Sequence, residues 1–335
     1  DFSANINPLG MPDEVKQALV SHVEEYACYP DPLCRSLRAA IGTFHRIPAE
    51  DVLCGNGAAD LIFRVCWGLR PKKALVLAPT FAEYELALRS CGCEVSYFDL
   101  DRAKNFLPDV NALCRQLSHM DGLDLVFLCN PNNPTGLALK REEVSRIGDA
   151  CREKGGLLVV DECFADFLER EEEYSVLEDI REGRLSNVLV LRAFTKMYAM
   201  AGVRLGYLIS SCREALRGIG EAGQPWSVST VASVCGEAAL SCRAHVEKSR
   251  LLAASGRAYL TERLALLGFR MFPSMVNFLL FQCPEAGLKE GLEKEGILIR
   301  SCANYRGLDG TYFRIAVKSE EDNRRLVETV KKLLS

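Results

Sequence analysis

Residues Asn187 to Ile209 read NVLVLRAFTKMYAMAGVRLGYLI. The run Val188 to Leu191 has the length and β-branched content of a buried strand. Beyond it stands Lys196, and then Arg204. A strand that delivers cations to its carboxyl end is what an open α/β sheet uses, because ligands of such sheets bind outside those ends.

The same rhythm of short apolar strand, loop and amphipathic helix recurs on both sides of this segment. DVLC (Asp51 to Cys54) precedes GNGAAD and a helix through Trp67, and KALVLA (Lys73 to Ala78) precedes PTFAEYELALRSCG and then EVSYFDL. LDLVFLC ends in NPNNPTG at Asn130 to Gly136, followed by the helix REEVSRIGDACREK, and GLLVVDE ends at Asp161 and Glu162. The alternation predicts an α/β fold, a mostly parallel sheet flanked by helices, over residues 31–225. Residues 1–30 begin irregularly and continue as a helix from Pro12 to about Glu25, with proline near its first turn. From Trp226 a long helical stretch runs towards Leu267. The strands FRMF, NFLLFQC, ILIRS and YFRIAV follow, then an amphipathic helix from Glu320. Residues 226–335 therefore read as a smaller α+β domain, with a ligand cleft expected between the two.

Composition narrows the function. The chain's 335 residues exceed the ~250–300 at which single cores stop growing. With 48% hydrophobic and 26% charged residues and a net charge of −4, it has no basic field for nucleic acid. No apolar run reaches the ~18–20 residues of a membrane span. The fifteen cysteines are scattered through apolar segments without a C-x-x-C pair, and the four histidines are not spaced to share a metal with them. No signal peptide is visible, and reduced, buried thiols in a cytoplasmic protein without a metal are expected.

Polar residues collect where strands end. The turn Gly55-Asn56-Gly57-Ala58 opens a helix and offers backbone N–H groups and a positive dipole end to a phosphate. It lacks the G-x-G-x-x-G spacing, with Asp60 in the last position, which disfavours a dinucleotide. Asn133, Asp161, Lys196 and Arg204 each have ordinary uses as turn, cap or solvated residues. Together they match the needs of pyridoxal 5'-phosphate. Its aldehyde needs a lysine amine for a Schiff base, here Lys196. Its ring nitrogen stays protonated beside a buried carboxylate such as Asp161. Asn133 can donate to the ring hydroxyl, Phe81 can stack on the ring, and Gly57, Ala58, Thr195 and Arg204 can hold the phosphate.

The motifs NPNNPTG, VVDECF and FTKMYAMAGVRLGY resemble the fold-type I pyridoxal-phosphate enzymes of the class I/II aminotransferase family, near its histidinol-phosphate aminotransferase branch. Three narrower stretches, DFSANINPLG, PWSVS and ILIRSCANYRGLDGTYFRIAV, resemble a branch of decarboxylases that act on phosphorylated threonine in cobamide biosynthesis. The resemblance implies that Lys196 carries the cofactor and Asp161 pairs with its ring nitrogen. It implies that Arg314 grips the substrate α-carboxylate, that Arg300 helps to bind the substrate phosphate and that Asn5 lines the cleft. Tyr29 matches a tyrosine that reaches the partner subunit's cofactor phosphate, which implies a homodimer with shared sites. The implied reaction is decarboxylation of a small phosphorylated amino acid, with a histidinol-phosphate type of transamination and decarboxylation of serine phosphate as alternatives. Two departures stand out: Phe164 replaces a tyrosine common among related aminotransferases, and the decarboxylases' His-Gly-Gly arm precedes the first residue of this sequence.

Overall fold

The structure is a computed structural model that describes residues 1–283, 285 and 287–334. Seven strands form the larger sheet: β1 (Val52–Gly55), β2 (Lys73–Ala78), β3 (Glu94–Asp99), β4 (Leu125–Cys129), β5 (Leu157–Asp161), β6 (Val188–Ala193) and β7 (Gly206–Ile209), in the order β1-β7-β6-β5-β4-β2-β3. Pairing is parallel from β3 to β6, and β7 lies antiparallel to both β6 and β1. All residues of β4 and β6 are buried, as expected for parallel strands covered on both faces. Alternate side chains enter two cores: Val126, Leu128, Val160 and Val190 on one face, Leu125, Phe127, Val159 and Leu189 on the other.

The alternation correctly anticipates a mostly parallel sheet. It does not anticipate β7, which returns from β6 through the loop 194–205 with no helix. An antiparallel neighbour needs no crossover helix, so the strand–helix rhythm carries no trace of it.

A second sheet holds β8 (Arg270–Met271), β9 (Phe278–Gln282), β10 (Arg300–Ser301) and β11 (Tyr312–Ala316), in the antiparallel order β10-β11-β9-β8. Its core packs Leu279, Phe281, Phe313 and Ile315 against Leu260, Leu264, Leu326 and Val330 of two helices. Phe2 joins that core, with its N–H on the Leu298 carbonyl and its own carbonyl accepting from Ala316 N–H. The amino-terminal strip is thereby tied to the smaller sheet before it crosses to the larger one.

Two helices differ from expectation. The first spans Asp13–Ser21, after which the chain tightens into a 3-10 turn at Val23–Ala27. There the Ser21 hydroxyl donates to the Gln17 carbonyl, and His22 pairs with Glu25. The stretch from Trp226 is two helices, Thr230–Ala239 and Arg243–Leu266. Between them the Ser241 hydroxyl donates to the Ala238 carbonyl, a local bond that competes with helix continuation.

Candidate active site

The carboxyl ends of β1, β2, β4, β5 and β6 open on one cavity of about 200 Å³. Its lining includes Asn5, Ala58, Phe81, Asn133 and Asp161, together with Thr195, Lys196, Arg204 and Arg314. Nine positions singled out in the sequence thus share one cleft between the two sheets. Three others lie outside its lining. Gly57 is a buried member of the turn Gly55 to Ala58, Arg300 is exposed and donates to Asn304 (3.0 Å), and Tyr29 is 84% exposed with its ring 5.1 Å from that of Trp226.

The three asparagines of NPNNPTG divide the work. Asn130 bonds both N–H and C=O of Leu139, and Asn132 ties to Pro79, Thr80 and Thr135. Those bonds freeze the loop, in which the Asn130–Pro131 and Asn133–Pro134 peptides are cis. Asn133 is left to face the cavity. Its Oδ1 accepts from Arg314 Nη1, so its amide N–H groups are what it can offer a ligand.

Asp161 is 5% exposed at the end of β5. Its Oδ2 accepts from the Tyr84 hydroxyl at 2.5 Å and its Oδ1 from Cys163 N–H at 2.9 Å. Tyr84 is fully buried and stacked on Phe127, with ring centroids 4.9 Å apart. Burial and the nearby Asp161 charge hold its phenol well above the usual range, so it remains a donor. Tyr84, Cys129 and Cys163 are pocket residues that sequence reasoning missed. The only signal for Tyr84 was its place three residues after Phe81, inside a helix that also buries Ala87 and Leu88.

Lys196 follows β6 and is half-buried, its Nζ 5.9 Å from the Phe164 ring centroid. Burial, and then the Arg314 and Arg204 charges, lower its pKa from the ordinary lysine value. Phe164 packs edge-on against Phe278 at 5.0 Å. Arg314 is buried on β11. Its Nη2 donates to the Ser3 carbonyl at 2.8 Å, while Nε lacks a partner among the described residues. Asn5 Oδ1 is likewise buried and unpaired. Buried polar atoms without partners carry a desolvation cost that a bound ligand relieves.

The turn Gly55 to Ala58 is shaped by two glycines. Gly57 has φ +82°, and a Cβ there would stand 2.7 Å from Arg204 Nη2. Gly206 starts β7, where a Cβ would stand 2.7 Å from Ala58 N. Both therefore let backbone and guanidinium close around the helix start at Gly57, a cradle for an anion. Cys302 does not line the cavity; it is fully buried and its thiol is pushed up to about 12.

A lysine with a lowered pKa, a doubly bonded carboxylate, an aromatic wall and an anion cradle are the donor set that pyridoxal phosphate requires. The aminotransferase class I and II family model matches residues 1–330. The chain belongs to that family. It is 38% identical to threonine-phosphate decarboxylase of Salmonella typhimurium, with 100% of this chain and 91% of that protein covered. It is 32% identical to an adenosylcobalamin biosynthesis bifunctional protein of Leptospira interrogans, over 98% of this chain and 38% of that one. The histidinol-phosphate aminotransferase of Clostridium acetobutylicum superposes with a TM-score of 0.92 at 29% identity, over 100% of this chain and 98% of that one. For this member of the aminotransferase class I and II family, the cofactor is pyridoxal 5'-phosphate.

Proposed function

We propose that the protein decarboxylates L-threonine O-3-phosphate to (R)-1-aminopropan-2-yl phosphate and carbon dioxide, in cobamide biosynthesis. The observation that carries this reading is the full-length 38% identity to the Salmonella decarboxylase.

When bound, the cofactor supplies a protonated ring that draws electrons from the bond broken at the substrate Cα. Lys196 holds the cofactor through Nζ; once its amine is released, the lowered pKa suits it to deliver the proton that replaces carbon dioxide at Cα. Asp161 keeps the ring nitrogen charged, with Tyr84 and Cys163 N–H fixing its two oxygens. Asn133 donates to the ring hydroxyl and Phe81 covers the ring. Gly57, Ala58, Thr195 and Arg204 hold the cofactor phosphate. Arg314, steadied by Asn133 and Ser3, grips the α-carboxylate and sets which Cα bond is strained. Arg300 helps to receive the substrate phosphate, and Asn5 lines the cleft.

The exposed Tyr29–Trp226 pair supports a homodimer in which Tyr29 reaches the partner's cofactor phosphate. No helix among the described residues is long and apolar enough to cross a membrane. The protein works in the cytoplasm as three segments: 1–30 contributing to cleft and dimer, 31–225 binding the cofactor, and 226–335 as the small domain.

The test incubates cofactor-loaded protein with O-phospho-L-threonine alone and follows carbon dioxide and the phosphorylated amino alcohol. Turnover without any keto acid is expected. Glutamate formation that depends on 2-oxoglutarate would replace this reading with the aminotransferase one, which the likeness to the Clostridium enzyme favours. Serine phosphate serves as the competing substrate, since one methyl in a pocket is worth only ~1–3 kcal/mol.

A further inference from the structure

The strip Ser3 to Asn7 touches the Arg314 guanidinium and the main chain of Lys196. The Ser3 carbonyl accepts from Arg314 Nη2 at 2.8 Å, and Asn7 N–H donates to the Lys196 carbonyl at 3.2 Å. The Asn7 side chain is 3% exposed. Its Nδ2 donates to the Met197 carbonyl at 2.7 Å and to Ser249 Oγ at 2.6 Å, with His245 Nε2 at 3.1 Å. The Ser249 hydroxyl proton is spent on the His245 carbonyl at 2.6 Å, so its oxygen is free to accept. Asn7 Oδ1 accepts from Leu9 N–H at 3.1 Å and so fixes the amide's orientation. One residue thereby satisfies the carbonyls of Lys196 and Met197 and joins them to the helix Arg243–Leu266.

A simple tether would not need this amide. Two donor protons, aimed at acceptors on two separate elements, require Asn rather than a carboxylate or an apolar residue. From Ser3 to Asn7 an extended chain spans at most ~13–14 Å. Pinned at both ends, the strip limits how far the Lys196 main chain can stand from Arg314. We propose that Asn7 is a positioning residue for Lys196, holding the lysine's main chain so that Nζ stays within reach of the substrate Cα while the same strip steadies Arg314. This rests on the decarboxylase reading given above. Misplacement of ~1 Å can cost ~100-fold in rate, so the effect belongs mainly to kcat.

The experiment compares wild-type and Asn7→Ala holoenzymes in three ways: cofactor content, the pH titration of the cofactor's visible absorbance, and kcat and KM for O-phospho-L-threonine. Expected for Asn7→Ala are retained cofactor, a displaced absorbance midpoint, and kcat lowered ~10- to 100-fold with KM changed far less. A folded variant with wild-type kcat and an unmoved midpoint overturns the proposal, as does activity that falls only in proportion to lost cofactor. If Asn7→Ala does not fold, Ser249→Ala removes one acceptor of the same amide. A smaller shift of both readouts in the same direction then supports the proposal, and wild-type behaviour overturns it. Should wild type release no carbon dioxide, the functional reading fails by itself, while the absorbance midpoint still reports on Lys196 without substrate.

Discussion

At Gly57 a single hydrogen atom leaves room for the Arg204 guanidinium. The residue sits at φ +82°, a region that costs an L-residue roughly 1–2 kcal/mol, and its missing Cβ leaves the space that Arg204 Nη2 occupies. In Gly57→Ala the guanidinium has to withdraw from the helix start, and a charge-assisted bond to the cofactor phosphate weakens. Loss of such a bond corresponds to ~1.5–3 kcal/mol. The expected outcome is cofactor affinity at least about tenfold weaker with the fold intact, read by titrating pyridoxal phosphate into apoprotein and by circular dichroism. Unchanged affinity would remove the turn from the phosphate site. Gly206→Ala strikes the same cradle from the β7 side, against backbone that cannot swing away.

At the scale of elements, β6 does two jobs, one past its carboxyl end and one within the strand. It leads into the pocket through Thr195 and Lys196, yet it also carries Arg192, which is 1% exposed in an otherwise apolar strand. Arg192 Nη2 lies 2.6 Å from Glu162 Oε2 and 2.7 Å from Glu171 Oε1, and Nη1 lies 3.3 Å from Asp166. The Ser175 hydroxyl adds a bond to Glu162. Such a cluster is costly to break from one side, because Glu162, itself fully buried, is left uncompensated. Arg192→Leu is therefore expected to destabilise by about 3–5 kcal/mol in urea unfolding, and Arg192→Leu with Glu162→Gln by less than the sum. Additive losses would mean that the charges act independently.

The same strand shows how far the sequence is legible. Its apolar run, and the polar residues that end its neighbours, are visible because a parallel sheet demands apolar strands and confines chemistry to their ends. Lys196, Asp161 and Asn133 could be found that way. Tyr84 could not, because a buried tyrosine in a helix looks like core until its hydroxyl is seen on Asp161. Nor could β7, whose four residues carry no crossover, or Gly206, whose need for glycine arises from the close approach of backbone at Gly57, Ala58 and Arg192. The helix break at Leu240 to Cys242, where the Ser241 hydroxyl turns to the Ala238 carbonyl, is marked by no periodicity.

Across the whole molecule, the Arg192 cluster binds the larger sheet to the carboxyl-terminal region. Arg250, on the helix Arg243–Leu266, reaches Glu171 and the Asp166 carbonyl, while His45 closes the other side with Nε2 2.8 Å from the Tyr207 hydroxyl. Burial, with Arg192 adding to it, pushes His45 down to about 3 from 6.5. Its contribution is full above pH 6.5 and is lost as pH falls towards 3, since only the unfolded chain takes the proton in between. Asp166 works oppositely. Burial and then Glu171 raise it from 3.8 to about 6, so its contribution is full below pH 3.8 and is lost as pH rises through 6. The two slopes oppose each other from about pH 6 to 4. His45→Gln keeps a partner for Tyr207 and removes one slope only. Relative to wild type, the variant's unfolding free energy is expected to rise by up to about 1.4 kcal/mol per pH unit as pH drops below 6.5. Urea midpoints taken from pH 7.5 to 4.5 read this directly. A difference that stays constant with pH would show that His45 gains its proton in the folded state as readily as in the unfolded one, and the junction would then hold a cation where a neutral ring is expected.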